Sequence, residues 1–198
     1  MKLRSLAPAV VLLLAAAVSH AQSQGNFGLY LNPYVTRISN SKPETGPFAF
    51  LGDNATSRIF WGFQMGGYYD FFHSGPLAAG VTMRFSDQHA NNAGIRDFQV
   101  GARVAGTLTG TRWNPYVEAT IGGASTKPPG ATARVSKTAY AVYGGADYTF
   151  SRHVDFRAFE IGYGSVTTAS NETIGAGNTL PATPSKLLSF SSGLVFRF

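Results

Sequence analysis

At 198 residues the chain is long enough for one domain with a real core, and no shift in composition marks a second. Charged residues make up only 13% of it, well below the roughly 25% of ordinary soluble domains, so something other than a charged surface must keep it from aggregating. The absence of cysteine excludes disulfides, thiol nucleophiles and cysteine metal sites, and the formal charge of +6 is scattered singly, without the basic run or recognition helix of a nucleic-acid binder.

The chain opens MKLRSLAPAVVLLLAAAVSHAQS: basic at Lys2 and Arg4, apolar from Leu6 to Val18, small at Ser19 and Ala21. This is the pattern of a secretory signal peptide over residues 1–21, cleaved after Ala21, because the apolar stretch falls short of the ~18 to 20 residues a spanning helix needs. Losing Lys2 and Arg4 leaves fourteen basic residues against ten acidic, a formal +4. Glycines and polar residues interrupt every later apolar run. Residues 22–198 are therefore expected to form one secreted, periplasmic or outer-membrane β-barrel domain.

From Asn26 onward the period is two, the signal of strands. Eight are predicted, over 26–39, 59–72, 77–86, 96–108, 113–124, 138–150, 154–164 and 186–198. Pro33 in the first cannot donate to a ladder, which predicts either a later start or a bulge. In the second, Ile59, Trp61, Phe63, Met65, Tyr69 and Phe71 oppose Gly62, Gln64, Gly66, Tyr68 and Asp70. In the third and fourth, Val81, Met83, Phe85, Phe98, Val100 and Val104 oppose Thr82, Arg84, Ser86, Asp97, Gln99 and Arg103. In the seventh, Val154, Phe156 and Ala158 share a parity that Ile161 and Tyr163 do not, which predicts a one-residue bulge near Ala158 and Phe159. Long polar segments join strands one to two, three to four (DQHANNAGI), five to six and seven to eight; HSGP, TGTR and SRH make tight turns between them. NPYV recurs at 32–35 and 114–117, and GGYYDFF is echoed by GGADYTF, as duplication of a half-barrel would leave them.

The apolar face is almost free of charge over about ten residues per strand, the length a tilted strand needs to cross a bilayer. An arginine facing lipid at mid-bilayer would cost ~2 to 4 kcal/mol, which places Arg84, Arg103 and Arg157 inside. Asp70, Glu118, Asp147 and Glu160 are expected there as their partners, beside Gly62, Gly66, Gly101, Gly122 and Gly145. An eight-stranded barrel is just wide enough for such side chains to fill it, so a plugged lumen is expected. Tyr34, Tyr69, Phe71, Trp113, Tyr148, Phe150, Phe196 and Phe198 lie near strand ends, where aromatic girdles sit. Arg37, Arg58, Arg96, Arg134, Lys137 and Lys186 are expected near the outer rim, where they either contact lipopolysaccharide phosphates or only solvate the loops.

In the final SSGLVFRF, Ser191 and Gly193 lead into Leu194, Phe196 and Phe198. This resembles the C-terminal signal that the barrel-assembly machinery reads in outer-membrane barrels, which makes those five residues an assembly signal by resemblance. The segment GGADYTFSRHVDFRAFEIGYG, Gly144 to Gly164, is similar to a hairpin of the outer-membrane β-barrel domain family, the OmpA-like and OmpX-like eight-stranded bacterial proteins. There a GG-x-D-Y strand turns tightly into an R-x-x-E-or-Q-x-x-Y strand. The resemblance implies an all-β, eight-stranded antiparallel transmembrane meander in the bacterial outer membrane with both termini periplasmic. The chain departs from full-length OmpA-like proteins in lacking a periplasmic domain after the barrel, so peptidoglycan anchoring is not expected.

Some barrels of this size modify lipid A, which calls for a nucleophile beside a base. His73 and His153 fall in turns, and His89 lies beside Asp87 in a loop, none with a catalytic serine and carboxylate pattern. No nucleophile elbow, phosphate loop, dinucleotide fingerprint or zinc-helix motif occurs. No catalytic residue, cofactor or metal is expected; the Asn54 and Asn171 sequons are incidental in a bacterial protein. The expected role is structural or surface-interacting, through the long extracellular loops, with outer-membrane lipid and lipopolysaccharide as partners and an extracellular ligand held by the loops. A narrow solute pore, a lipid A-modifying enzyme and a soluble ligand-binding barrel are the alternatives.

Overall fold

The structure, a computed structural model, describes residues 26–46, 48–132, 134–168 and 184–198; the expected leader, the cleavage expected after Ala21 and the Asn171 sequon fall outside them. Eight strands follow in order: β1 Phe27–Glu44, β2 Ala55–Ser74, β3 Leu77–Ala90, β4 Ala93–Gly106, β5 Trp113–Lys127, β6 Val135–Thr149, β7 Val154–Thr167 and β8 Pro184–Arg197. Each pairs antiparallel with the next, and β1 pairs with β8 to close the barrel. Alternation divides the residues as expected. Trp61, Met65, Val81, Met83, Val100 and Ile121 face outward, whereas Gln64, Arg84, Arg103 and Glu118 are buried inside.

All eight strands run further toward the loop end than the alternation indicated. The extensions keep their backbone pairing, as in Asp87↔Arg96 and His89↔Gly94, but carry polar residues outward. Apolar alternation therefore marks where a strand meets a greasy surface, not where it stops. The segment DQHANNAGI is accordingly no long loop. β3 continues to Ala90, β4 begins at Ala93, and Asn91 and Asn92 alone make the turn with φ of 42° and 66°. Two successive left-handed residues are what a two-residue hairpin demands, and asparagine tolerates that conformation better than most side chains.

Pro33 forces neither a late start nor a bulge. It pairs with Phe63 on β2, and the β1–β8 ladder resumes from Leu31↔Leu194 to Tyr34↔Ser191 without a register shift. The bulge on β7 does occur, with Ala146↔Phe159 followed by Asp147↔Arg157. A second bulge, which the alternation did not reveal, lies on β2, where Asp70↔Gly80 is followed by Phe72↔Ala79 and both Phe71 and Phe72 end up exposed.

The connection after β1 is a long, mainly polar segment, yet its apolar residues Ala49, Phe50 and Leu51 are buried in the barrel mouth. Phe50 and Leu51 pack with Ile38, Phe60, Ile95, Val166 and Leu187, and the Phe50 and Phe60 rings stack at 5.0 Å. Arg58 Nη1 donates to Phe50 O at 2.9 Å, and Leu51 N–H donates to Glu44 Oε2 at 3.0 Å. Burial pushes the Glu44 carboxyl above its ordinary pKa despite the hydrogen bonds that Leu51 N–H and Asn40 Nδ2 donate to it. Phe50→Ala should lower stability to urea, measured on protein folded into vesicles, by about 3 kcal/mol. A loss below about 1 kcal/mol would mean that this loop segment is not packed in the mouth.

Candidate functional site

The seven charges expected inside come from six different strands and meet in one cluster. Arg157 and Glu160 show why local structure matters: with opposite parity on β7 they would face opposite ways, and the bulge at Ala158 turns both inward. Glu160 sits at the junction of the cluster. It accepts from Arg84 Nη2, from Arg157 Nη1 at 3.1 Å, from Tyr116 Oη at 2.6 Å, from Gln64 Nε2 at 2.9 Å and from Ser191 Oγ at 3.2 Å. Glu118 takes Arg103 Nη1 at 2.7 Å and Arg84 Nε at 3.2 Å; Asp147 takes Arg157 Nε at 3.0 Å. Asp70 is the loosest member, 3.7 Å from Arg103 Nε.

Tyrosines complete the cluster, and the sequence reading assigned none of them to the arginines. Arg84 lies 3.7 Å over the Tyr143 ring, Arg103 lies 4.0 and 4.2 Å over Tyr68 and Tyr116, and Arg157 lies 4.4 Å over Tyr30. A guanidinium between rings keeps a favourable field on the faces its carboxylates do not cover. Each of these four rings stands directly across from a glycine on a neighbouring strand: Tyr30↔Gly66, Tyr68↔Gly28, Tyr116↔Gly145 and Tyr143↔Gly162. A Cβ on Gly66 would approach Tyr30 Oη to 2.4 Å, and one on Gly162 would approach Tyr143 Cε1 to 2.4 Å. The glycines make room for rings that have nowhere else to lie. The signal was legible, since these tyrosines share inward parity with the charges.

Tyr34 corrects the girdle assignment: it is buried inside, across from Gly62, so NPYV points its tyrosine inward on both β1 and β5. Phe150, Tyr69 and Trp113 are exposed at the turn end, where Trp113 and Tyr148 meet edge to face at 5.2 Å. In the final strand Ser191 is buried, Gly193 lies against Asn32, and Leu194 and Phe196 face outward. Phe198 N–H donates to Phe27 O at 2.9 Å, with the two rings 6.1 Å apart.

At the loop end the rim cations differ in their surroundings. Arg58 is engaged by Phe50 O, Arg37 by Ser57, and Arg96 by Asp87 at 2.7 Å; Lys137 and Lys186 stand across from Ala124 and Ser39. Arg134 Nη1 reaches Ser125 O at 3.3 Å. His89 Nε2 lies 3.1 Å from Asp87, while His73 and His153 stand at the far, turn end. Among the described residues no group of three or more His, Asp or Glu could hold a metal ion.

Glu160→Gln keeps the shape of the junction but withdraws the charge that Arg84 and Arg157 face. It should cost about 3 to 5 kcal/mol in vesicle unfolding, whereas Tyr116→Phe, which removes one hydrogen bond, should cost about 1 kcal/mol. Equal losses would contradict a charge-centred junction.

No family model and no curated protein matches the chain. Among solved structures, Neisserial surface protein A is similar at 15% identity with a TM-score of 0.58, covering 87% of this chain and 97% of its own. Ail, the attachment invasion locus protein of Yersinia pestis, is similar at 15% identity with a TM-score of 0.51, covering 88% of this chain and 99% of its own. At such identities the likeness is one of architecture, and it extends over nearly the whole of both neighbours. With its closed meander and outward apolar face, this chain has the eight-stranded fold of small outer-membrane β-barrel proteins.

Proposed function

We propose that the protein is a bacterial outer-membrane barrel, exported through its leader, closed to solutes, and acting as a structural or surface-interaction protein through its loop end. The single observation that carries this reading is the inversion of polarity: charges are buried in a bonded cluster inside, and large apolar residues such as Trp61, Val100 and Tyr163 stand exposed outside. Water would reject that arrangement and a bilayer requires it. The turn end, where β1 begins and β8 finishes, would face the periplasm and the loop end the outside. The segment Ser191, Gly193, Leu194, Phe196 and Phe198 would serve the assembly machinery.

Closure to solutes is supported by two stacked layers, the arginine, carboxylate and tyrosine cluster in the middle and the apolar cap of Phe50, Leu51, Ile38 and Phe60 at the mouth. A non-catalytic role fits the scatter of His73, His89 and His153, the histidines among the described residues, to opposite ends. A surface role fits in kind with the neighbours whose names describe a surface protein and an attachment protein.

Isolated outer membranes should contain the protein as a band that shifts on boiling in SDS, and planar bilayers containing it should stay silent. Steady conductance would replace the closed barrel by a narrow pore, and recovery in the soluble fraction would overturn the membrane reading. Val100→Arg should destabilise the folded protein by ~2 to 4 kcal/mol in vesicles; a neutral effect would mean that this face does not meet hydrocarbon.

A further inference from the structure

Outward-facing residues of β3, β4 and β5 form rows across the paired strands. Met83, Val100 and Ile121 make one, and Phe85, Phe98 and Gly123 the next; then the character changes to Asp87, Arg96 and Ser125, and finally to His89, Gly94 and Lys127. Rows are two residues apart, roughly 7 Å along a strand and less along the membrane normal once the strand tilts. The last two rows therefore stand just past the apolar band, at headgroup depth, on the outside of the barrel.

A cavity of about 540 Å³ opens there, lined by His89, Ala93, Gly94, Lys127, Ala131 and Arg134. Its floor is the bare backbone of Gly94: a Cβ at that position would lie 3.3 Å from His89 Nδ1 and 3.4 Å from Arg134 Nη2. Asp87 faces the neighbouring row and is already engaged by Arg96 at 2.7 Å and His89 at 3.1 Å. Among the described residues neither Lys127 nor Arg134 has a carboxylate within ion-pair distance. Two cations thus converge on a concave site without an anion.

Building on the outer-membrane reading, we propose that this cavity binds a phosphate monoester on the sugar headgroup of an outer-leaflet glycolipid. Arg134 supplies the fork that suits two phosphate oxygens and Lys127 the point charge, while His89, held by Asp87, forms the wall beside them. The phosphate comes from the membrane and not from solution, because the rows that carry the site continue the lipid-facing surface. The bare floor at Gly94 lets the headgroup approach the sheet.

The test uses the protein folded in detergent micelles, its Gly94 amide followed by NMR while lipid A carrying both phosphates is added. Saturable shifts are expected, weakened roughly tenfold per cation removed in Lys127→Gln and Arg134→Gln and abolished in Gly94→Leu, which fills the cavity with every charge intact. Equal shifts with lipid A stripped of both phosphates, or with the double glutamine variant, would overturn the site. Saturation by free glucose 1-phosphate at the same concentration would overturn its membrane source. A boiling-dependent gel shift in each variant separates loss of the site from loss of the barrel; absence of that shift in the unaltered protein would instead defeat the outer-membrane reading itself.

Discussion

A backbone N–H or C=O left unpaired in hydrocarbon costs several kcal/mol, so a sheet that crosses a bilayer must close on itself. Here the closing seam is β1 against β8, from Gly28↔Arg197 to Ser39↔Lys186. It is also the seam that must absorb Pro33, a residue with no N–H to give. The ladder skips its position without changing register, which preserves the inward direction of every side chain on either side. Much else follows from closure with so few strands: the interior is narrow, and every inward side chain must be fitted against those across the barrel.

That narrowness explains the pairing of tyrosine with glycine. A ring lying flat against the wall needs the cross-strand neighbour to have no side chain, and four such pairs provide it. The rings then cover the faces of the arginines whose edges the carboxylates hold. A buried ion pair gains little over a well-packed apolar substitute, but removing one partner leaves a charge exposed to low dielectric. The cluster is consequently more a constraint on register than a source of stability. A slip of one residue in β3, β4 or β7 would send Arg84, Arg103 or Arg157 into lipid and an apolar neighbour such as Met83, Val104 or Phe156 into the cluster.

The alternation made much of this legible. The seven interior charges, the bulge at Ala158 and the eight strands were all readable from parity, because parity is what lipid on one side and a crowded polar interior on the other enforce. The strand ends at the loop side were not. Beyond the apolar band both faces are polar, so Asp87 and His89 look like loop residues although their backbones are paired. The bulge at Phe71 was hidden because phenylalanine occupies both parities there. Tyr34 was assigned to the wrong surface for the opposite reason: its aromatic character suggested a girdle while its parity, shared with Asn32 and Thr36, pointed inward. The buried Phe50 and Leu51 lay within a segment judged by its polar majority. Period cannot identify a short apolar run in a connection as a cap, since the strand rhythm is absent there.

The account stands or falls on what the outward face touches. Trp61 and Trp113 face outward near opposite ends of the barrel, Trp61 in register with His89 at the loop end and Trp113 beside the turn that precedes β5. In single-tryptophan variants folded into vesicles, lipid brominated close to the headgroup should quench both, and lipid brominated at the bilayer centre should quench neither strongly. Quenching by aqueous acrylamide with no response to either brominated lipid would show that the apolar face does not meet a membrane, and would contradict the account at its base.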